Sequence, residues 1–291
     1  MSNQTNAEIY DRGYRVYDGP RTGVRSAMGS VFATSVQRAL GLRRKFRFKI
    51  IPIITIFVAF APALVFVGVA AVFPTDLVAD GLPTFSDFFG ITGIAVVLFT
   101  AFVTPELMIT DRRSGMFGIY MASPLGRVHY LAAKLRALIT VVSTVTLLPV
   151  VFLLVGFLIV GAGPDGLGEI IPALIRIVVT GLLIALYYSL FGMAIATVTN
   201  RVGVASASVI MAFLASAFVA NTLVEAADAP DWVRAFSLVE LPVDIAARIF
   251  DEQFNQLADV SSAISVVIFA GVIVISALVV WFGYQRIEVT K

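Results

Sequence analysis

The chain has 291 residues, 59% of them hydrophobic and 14% charged, with a formal net charge of +2. A mean hydropathy of +0.94 means more apolar surface than a water-soluble domain can hide, so the sequence reads as an all-α integral membrane protein. It has no cysteine and a single histidine, His129, which excludes disulfides, thiolate chemistry and clustered Cys/His metal sites.

Residues 1–49 form a polar leader to the first apolar run, too long for the n-region of a cleavable signal peptide. Turn signals at Asp11-Arg12-Gly13 and Asp18-Gly19-Pro20 punctuate its start. Tyr10, Tyr14 and Tyr17 recur at helical intervals there, in either a partly ordered tail or a strap that docks on a partner. Over 26–49, Val31, Phe32, Val36, Leu40 and Leu42 can share one helical face. The basic group Arg43, Arg44, Lys45, Arg47 and Lys49 follows. That pattern predicts a helix lying in the membrane interface with its cations near anionic head groups; a plain charged flank of the first span is the alternative.

Residues 50–291 carry six apolar segments, at about 50–73, 88–109, 133–161, 172–199, 203–224 and 263–283, each long enough to cross the hydrocarbon core. Pro52, Pro62, Pro105 and Pro149 fall in or near them and predict kinks. The Lys/Arg distribution sets the orientation. The first fifty residues hold ten, the second-to-third connection five, the fourth-to-fifth Arg201, and the C-terminus Arg286 and Lys291. The alternate connections 74–87 and 162–171 have none, while 225–262 holds eight carboxylates against Arg234 and Arg248. This alternation predicts six spans with both termini cytoplasmic.

Between the second and third spans lies TPELMITDRRSGMFGIYMASPLGRVHYLAAKLR, residues 104–136. Ser114 and Gly115 follow the paired arginines Arg112 and Arg113 and can open a new helix. Met116, Ile119 and Tyr120 then recur at i, i+3 and i+4 as an apolar face. Pro124 ends that helix, and Ser123-Pro124 suits the start of the next. The result is a compact basic helix, too short to span, that offers apolar side chains to a partner outside the lipid. Pro105 and Glu106 are hinge candidates at the inner end of the second span; an ion pair from Glu106 to Arg112 or Arg113 is the structural alternative.

Further along, Arg176 predicts a side chain snorkelling to the outer interface. Tyr187, Tyr188 and Ser189 sit mid-span, and Ser216 and Asn221 lie on the fifth span. All five are candidates for a substrate path or for polar helix packing. Ala205, Ser208, Ala212, Ser216 and Ala220 form a small-residue stripe suited to a tight helix or subunit contact. In 225–262, Trp232, Phe236, Leu238, Leu241, Ile245, Ile249 and Phe250 alternate with carboxylates and predict short helices lying in, or dipping into, the outer leaflet. Trp281 and Tyr284 read as an aromatic belt at the cytoplasmic face.

No phosphate-binding loop, His/Glu metal motif or Ser-x-x-Lys is present, and mid-membrane charge is nearly absent. A membrane-embedded enzyme or an ion-coupled carrier is therefore disfavoured.

The segment PELMITDRRSGMFGIYMASPLGRVHYLAAKL, together with the opening GYRVYDGPR, resembles the permease subunits of ABC-2 type transporters. Topology carries the resemblance over the whole chain; specific motifs cover about 40 residues. The resemblance implies six spans, an N-terminal interface helix, a cytoplasmic coupling helix and outer re-entrant helices. By that analogy Arg112, Arg113, Ser114, Gly115, Met116, Phe117, Tyr120 and Met121 form the coupling helix. The implied assembly is two permeases, a second copy or a paralogue, with two separate ABC ATPase subunits. ATP and Mg would sit on those subunits, so this chain has no cofactor and no enzymatic activity of its own. Membrane lipid surrounds it and nucleic acid is not a partner. The implied place is the cytoplasmic membrane of a prokaryote. Two functions follow: an exporter of a hydrophobic or amphipathic molecule, or a mechanical relay that passes ATPase motion to an extracytoplasmic partner.

Overall fold

The computed structural model describes residues 19, 23–42, 49–73, 81–122, 124–252, 257 and 259–286. Among them every regular element is helical. In chain order these are α1 (Val24–Ala39), α2 (Ile50–Val72), α3 (Phe85–Ile91), α4 (Gly93–Arg113), α5 (Met116–Ala122), α6 (Arg127–Thr146), α7 (Leu148–Val160), α8 (Leu167–Val198) and α9 (Val202–Ala227). A 3-10 turn (Asp231–Phe236), α10 (Glu240–Phe250) and α11 (Ser262–Gln285) complete the chain. Six crossings are long and apolar enough for a bilayer: α2, α4, the α6–α7 pair, α8, α9 and α11. The protein is thus a multi-pass membrane protein.

Helices α4 and α8 form the centre. α8 packs against α4, α6 and α11, and α4 also takes α9 and α2. The periphery is α2, α9 and α11. These turn Phe57, Met211, Phe218, Val267 and Ile275 outward, as lipid-facing helices do when all their backbone bonds are internal. α9 buries Ala205, Ser206, Val209, Phe213 and Ala220 within the bundle.

Several boundaries differ from the sequence expectation; the fourth crossing begins at Leu167 rather than 172, and the second and third differ for local reasons. The second crossing does not start at 88. Thr84 and Asp87 form a capping box that opens the separate short helix α3, and the chain bends at Thr92 before α4 begins. α3 then lies on α10, close enough that Gly90 faces Val243 with room for no more than ordinary contact. The third crossing begins at Arg127 rather than 133, capped by Gly126 and not by Ser123-Pro124; Ser123 itself lies outside the described residues. It is interrupted at Leu147, because Pro149 offers no N–H and its ring crowds the preceding turn. Pro62 and Pro105, by contrast, sit inside unbroken helices.

The connections alternate between two ends of the bundle. At the basic end α1 packs on α6, Arg112 reaches the α8–α9 connection, and Arg127 Nη1 donates to the Gln285 carbonyl. At the acidic end, α3, the 162–166 loop, the 3-10 turn and α10 come together. There Arg176 does more than snorkel: its Nη1 donates to the Phe250 carbonyl at 3.0 Å and so closes the C-terminus of α10. Arg248 bonds Asp244 at 2.8 Å and the carbonyls of Leu257 and Val260 at 3.1 and 2.7 Å, tying α10 to the start of α11. The 3-10 turn exposes Trp232 and Phe236, whose rings meet edge to face at 5.9 Å.

Candidate functional site

The basic end is built around a carboxylate that the sequence pattern does not single out. Asp111, near the end of α4, is 0% exposed. Lys134 Nζ of α6, 1% exposed, lies 2.6 Å from its Oδ2. Tyr130 Oη donates to the same oxygen at 3.1 Å, and Arg38 of α1 pairs with Oδ1. One buried anion therefore joins three helices. Burial this complete is tolerated only because both oxygens are paired and hydrogen-bonded. Lys134 Nζ also reaches the Leu107 carbonyl at 3.4 Å and stands 5.6 Å from the Tyr130 ring centre.

This network holds α1 against protein. Its inward face is Val31, Ser35 and Ala39, spaced by one turn, with Val36 and Leu40 half-buried and Leu42 exposed. α1 thus packs chiefly on α6. The basic residues Arg43, Arg44, Lys45 and Arg47 lie outside the described residues, as do Tyr10, Tyr14 and Tyr17.

Arg112 fastens α4 to the end of α8. Its guanidinium donates to the carbonyls at the end of α8: Thr197 at 3.1 Å, Thr199 at 2.9 Å, and Ala196. A cation there also suits the negative end of the helix dipole. The guanidinium carbon lies 5.6 Å from the Tyr284 ring centre. Pro105 is buried, and α4 is one unbroken helix through Pro105 and Glu106. The chain turns at Ser114-Gly115, where Ser114 N and Oγ both bond the Thr110 carbonyl and Gly115 has φ +71°. Glycine takes that left-handed conformation without steric penalty, so α4 stops and α5 starts within two residues.

α5 hangs on this turn with one side chain driven inward. Phe117, 4% exposed, meets Tyr130 at 5.2 Å and Tyr284 at 5.7 Å, both edge to face. Tyr120 lies 5.7 Å from Tyr130 and Tyr130 lies 6.1 Å from Tyr284. Tyr284 is therefore part of this aromatic cluster and not of an interface belt. Burial and the Asp111 carboxylate push the Tyr120 phenol above its ordinary value. Met116 and Met121 are half-buried; Arg113, Ser114 and Gly115 are exposed. Ile119 is 64% exposed and faces away from the protein. Sequence periodicity places Met116, Ile119 and Tyr120 together on the apolar face. The structure divides them, with Phe117 as the wedge and Ile119 as the free apolar tip.

Where α8 and α11 meet at this end, Gly283 lies against Thr197, and a Cβ on Gly283 would overlap the Thr197 methyl. Thr197 is held in place by its Oγ1 bond to the Met193 carbonyl at 2.8 Å. Gly283→Val is therefore expected to lower stability by about 1–3 kcal/mol through overpacking. Gly271→Val on the same helix, where nothing lies within 4 Å, should leave it unchanged. Thermal unfolding of the purified protein in mild detergent compares the two.

The mid-span and outer candidates serve packing contacts. Tyr187 Oη donates to the Leu238 carbonyl at 3.3 Å, Ser216 Oγ accepts from Leu238 N at 3.0 Å, and Asn221 Nδ2 donates to Glu240 Oε1 at 2.7 Å. Three residues on two helices thus fasten Leu238 and the first residue of α10. Tyr188 stacks on Phe213 at 4.9 Å, and Ser189 is fully buried with its Oγ lacking a hydrogen-bond partner. Among the described residues no three His, Cys, Asp or Glu side chains gather as a metal site would require. No family model matches the chain, and no curated protein matches it.

Proposed function

We propose that this chain is the membrane subunit of an ATP-driven ABC-2 type transporter, set in the cytoplasmic membrane of a prokaryote with its basic end and both termini inside. The observation that carries the reading is α5. It is a seven-residue helix on a glycine turn, exposing Ile119 while Phe117 wedges between α6 and α11. A soluble ATPase pressing on Ile119 would push on one rigid unit. Phe117 passes the displacement to Tyr130 and Tyr284, Asp111 to α1 and α6, and Arg112 to the end of α8. Motion of a small helix thereby reaches four spans without a flexible intermediate, as rigid-body switching requires. ATP and Mg belong to the partner subunits, and a second copy or paralogue completes the assembly. Export of a hydrophobic or amphipathic molecule is the function that fits the near-absence of charge in the spans.

A mechanical relay is the second reading. It is favoured by the acidic end, where Tyr187, Ser216 and Asn221 are spent on holding Leu238 and the start of α10 rather than lining a path.

The orientation is tested by single cysteines, which are unambiguous because the chain has none. Asp165→Cys and Asp231→Cys, both exposed at the acidic end, should react with an impermeant maleimide on intact cells, and Arg113→Cys only after permeabilisation. The reverse pattern would overturn the topology.

A further inference from the structure

A groove of about 430 Å³ opens at the acidic end between α3, the end of α7, the 162–164 loop and α8. That size suits a small organic ligand. Its walls are apolar, with Leu82, Phe85, Phe157 and Ala173 among them, and Glu252 is the one charged residue in the lining among the described residues. Phe85 lies 6.4 Å from Phe157 and 6.2 Å from Phe250, so aromatic faces border the space.

The carboxylate is left in an unusual state. Glu252 Oε2 accepts from Thr84 Oγ1 at 2.7 Å and from Ser86 Oγ. Thr84 Oγ1 also stands 2.9 Å from Asp87 Oδ2. A hydroxyl has one proton, so it can satisfy only one of these two carboxylates at a time. Each carboxylate keeps one further donor, Ser86 Oγ for Glu252 and the Thr84 N–H for Asp87 Oδ2 at 3.3 Å, but two like charges sit on either side of a single hydroxyl. No Lys or Arg of the described residues relieves this. Arg176 is directed to the Phe250 carbonyl and Arg248 to Asp244. The flanking connections 74–87 and 162–171 contain no Lys or Arg at all, only Asp76, Asp80, Asp87, Asp165 and Glu169. Among the described residues, Asp87 and Asp165 stand close in the chain to the groove's own Thr84–Phe85 and Pro164, and their charge concentrates cations there.

We infer that this groove binds an amphipathic organic cation, its ammonium or phosphonium centre held at Glu252 and Thr84 and its apolar body laid on Phe85 and Phe157. Carboxylate attraction and cation–π contact both act on the charged centre, while the walls remove the apolar part from water. The site stands whether or not an ATPase drives the chain, so its test is binding and not transport.

The probe is tetraphenylphosphonium, whose charge does not depend on pH. Its neutral counterpart of similar bulk is triphenylphosphine oxide. Binding is measured by calorimetry on the full-length protein in an uncharged detergent. Wild type should bind the cation at least about tenfold more tightly than the neutral compound, and Glu252→Gln should remove that preference. Because Glu252 also holds Thr84 and Ser86, a second variant is needed. Ala173→Phe fills the groove from α8 without touching the carboxylate, and it should abolish binding while thermal stability stays near wild type. Equal affinity for the two compounds in wild type, or undiminished binding in either variant, overturns the site. Binding in detergent that disappears in phosphatidylcholine nanodiscs assigns the groove to the lipid's own ammonium head group and overturns a diffusing ligand.

Discussion

Asp111→Ala is expected to be the most damaging single substitution at the basic end, costing about 3–5 kcal/mol. The cause is what the substitution leaves behind. Lys134 is 1% exposed and would keep its ammonium with no anion, holding only the Leu107 carbonyl at 3.4 Å and the face of Tyr130. Arg38, at 19% side-chain exposure, can turn to water. Arg38→Ala should therefore cost about 1 kcal/mol, in the range of a solvent-screened pair, and act mainly by loosening α1. Adding Lys134→Met to Asp111→Ala should recover part of the loss, because a long apolar side chain needs no partner there. Unfolding of the four proteins in detergent, followed by intrinsic fluorescence, gives the order. Asp111→Ala no worse than Arg38→Ala would show that the network does not bear on stability.

Ile119→Asp is expected to separate function from folding. Ile119 is 64% exposed and takes part in no contact that holds the bundle, so the variant should unfold like wild type. An apolar tip seated in a partner's pocket typically loses about 2 kcal/mol or more when charged, roughly thirtyfold in affinity. The variant should co-purify poorly with its ATPase and fail to stimulate ATP turnover in proteoliposomes. Phe117→Asp is the contrasting case. It drives a carboxylate between Tyr130 and Tyr284 and should destabilise the whole basic end. If Ile119→Asp leaves association and turnover unchanged, α5 is not the contact.

Much of this arrangement was legible in the sequence, and the parts that were not share a cause. Six crossings and two oppositely charged ends follow from hydropathy and from Lys/Arg counting, because the bilayer imposes length and charge locally. Hydropathy reports lipid, not helix geometry. It cannot see that Thr84 and Asp87 cap a separate α3, since Phe85, Phe88 and Phe89 extend the apolar run without a break. It likewise stops at 133, while α6 continues to Arg127 by turning Tyr130, Leu131 and Lys134 into protein. The short helix α5 is announced by Ser114-Gly115 and Pro124. Seven residues are too few for periodicity to tell Phe117 from Ile119, and tertiary packing decides. Asp111 was the hardest to find. Its partners Arg38 and Lys134 are 73 and 23 residues away, so no local pattern marks it. The one available signal was that Asp111 and Glu106 are the only carboxylates among five cations in residues 104–136. The Glu252–Thr84 contact spans 168 residues and left no signal at all.

The central claim is that α5 receives force from a separate ATPase. Its most direct test is to tag this chain, express it with its whole locus, extract it in mild detergent and identify what accompanies it. The account predicts a stoichiometric subunit carrying a phosphate-binding loop, released by Ile119→Asp and retained by Glu252→Gln. A pure preparation without any ATPase, from cells that make one, would contradict it and leave α5 an ordinary connection between two spans.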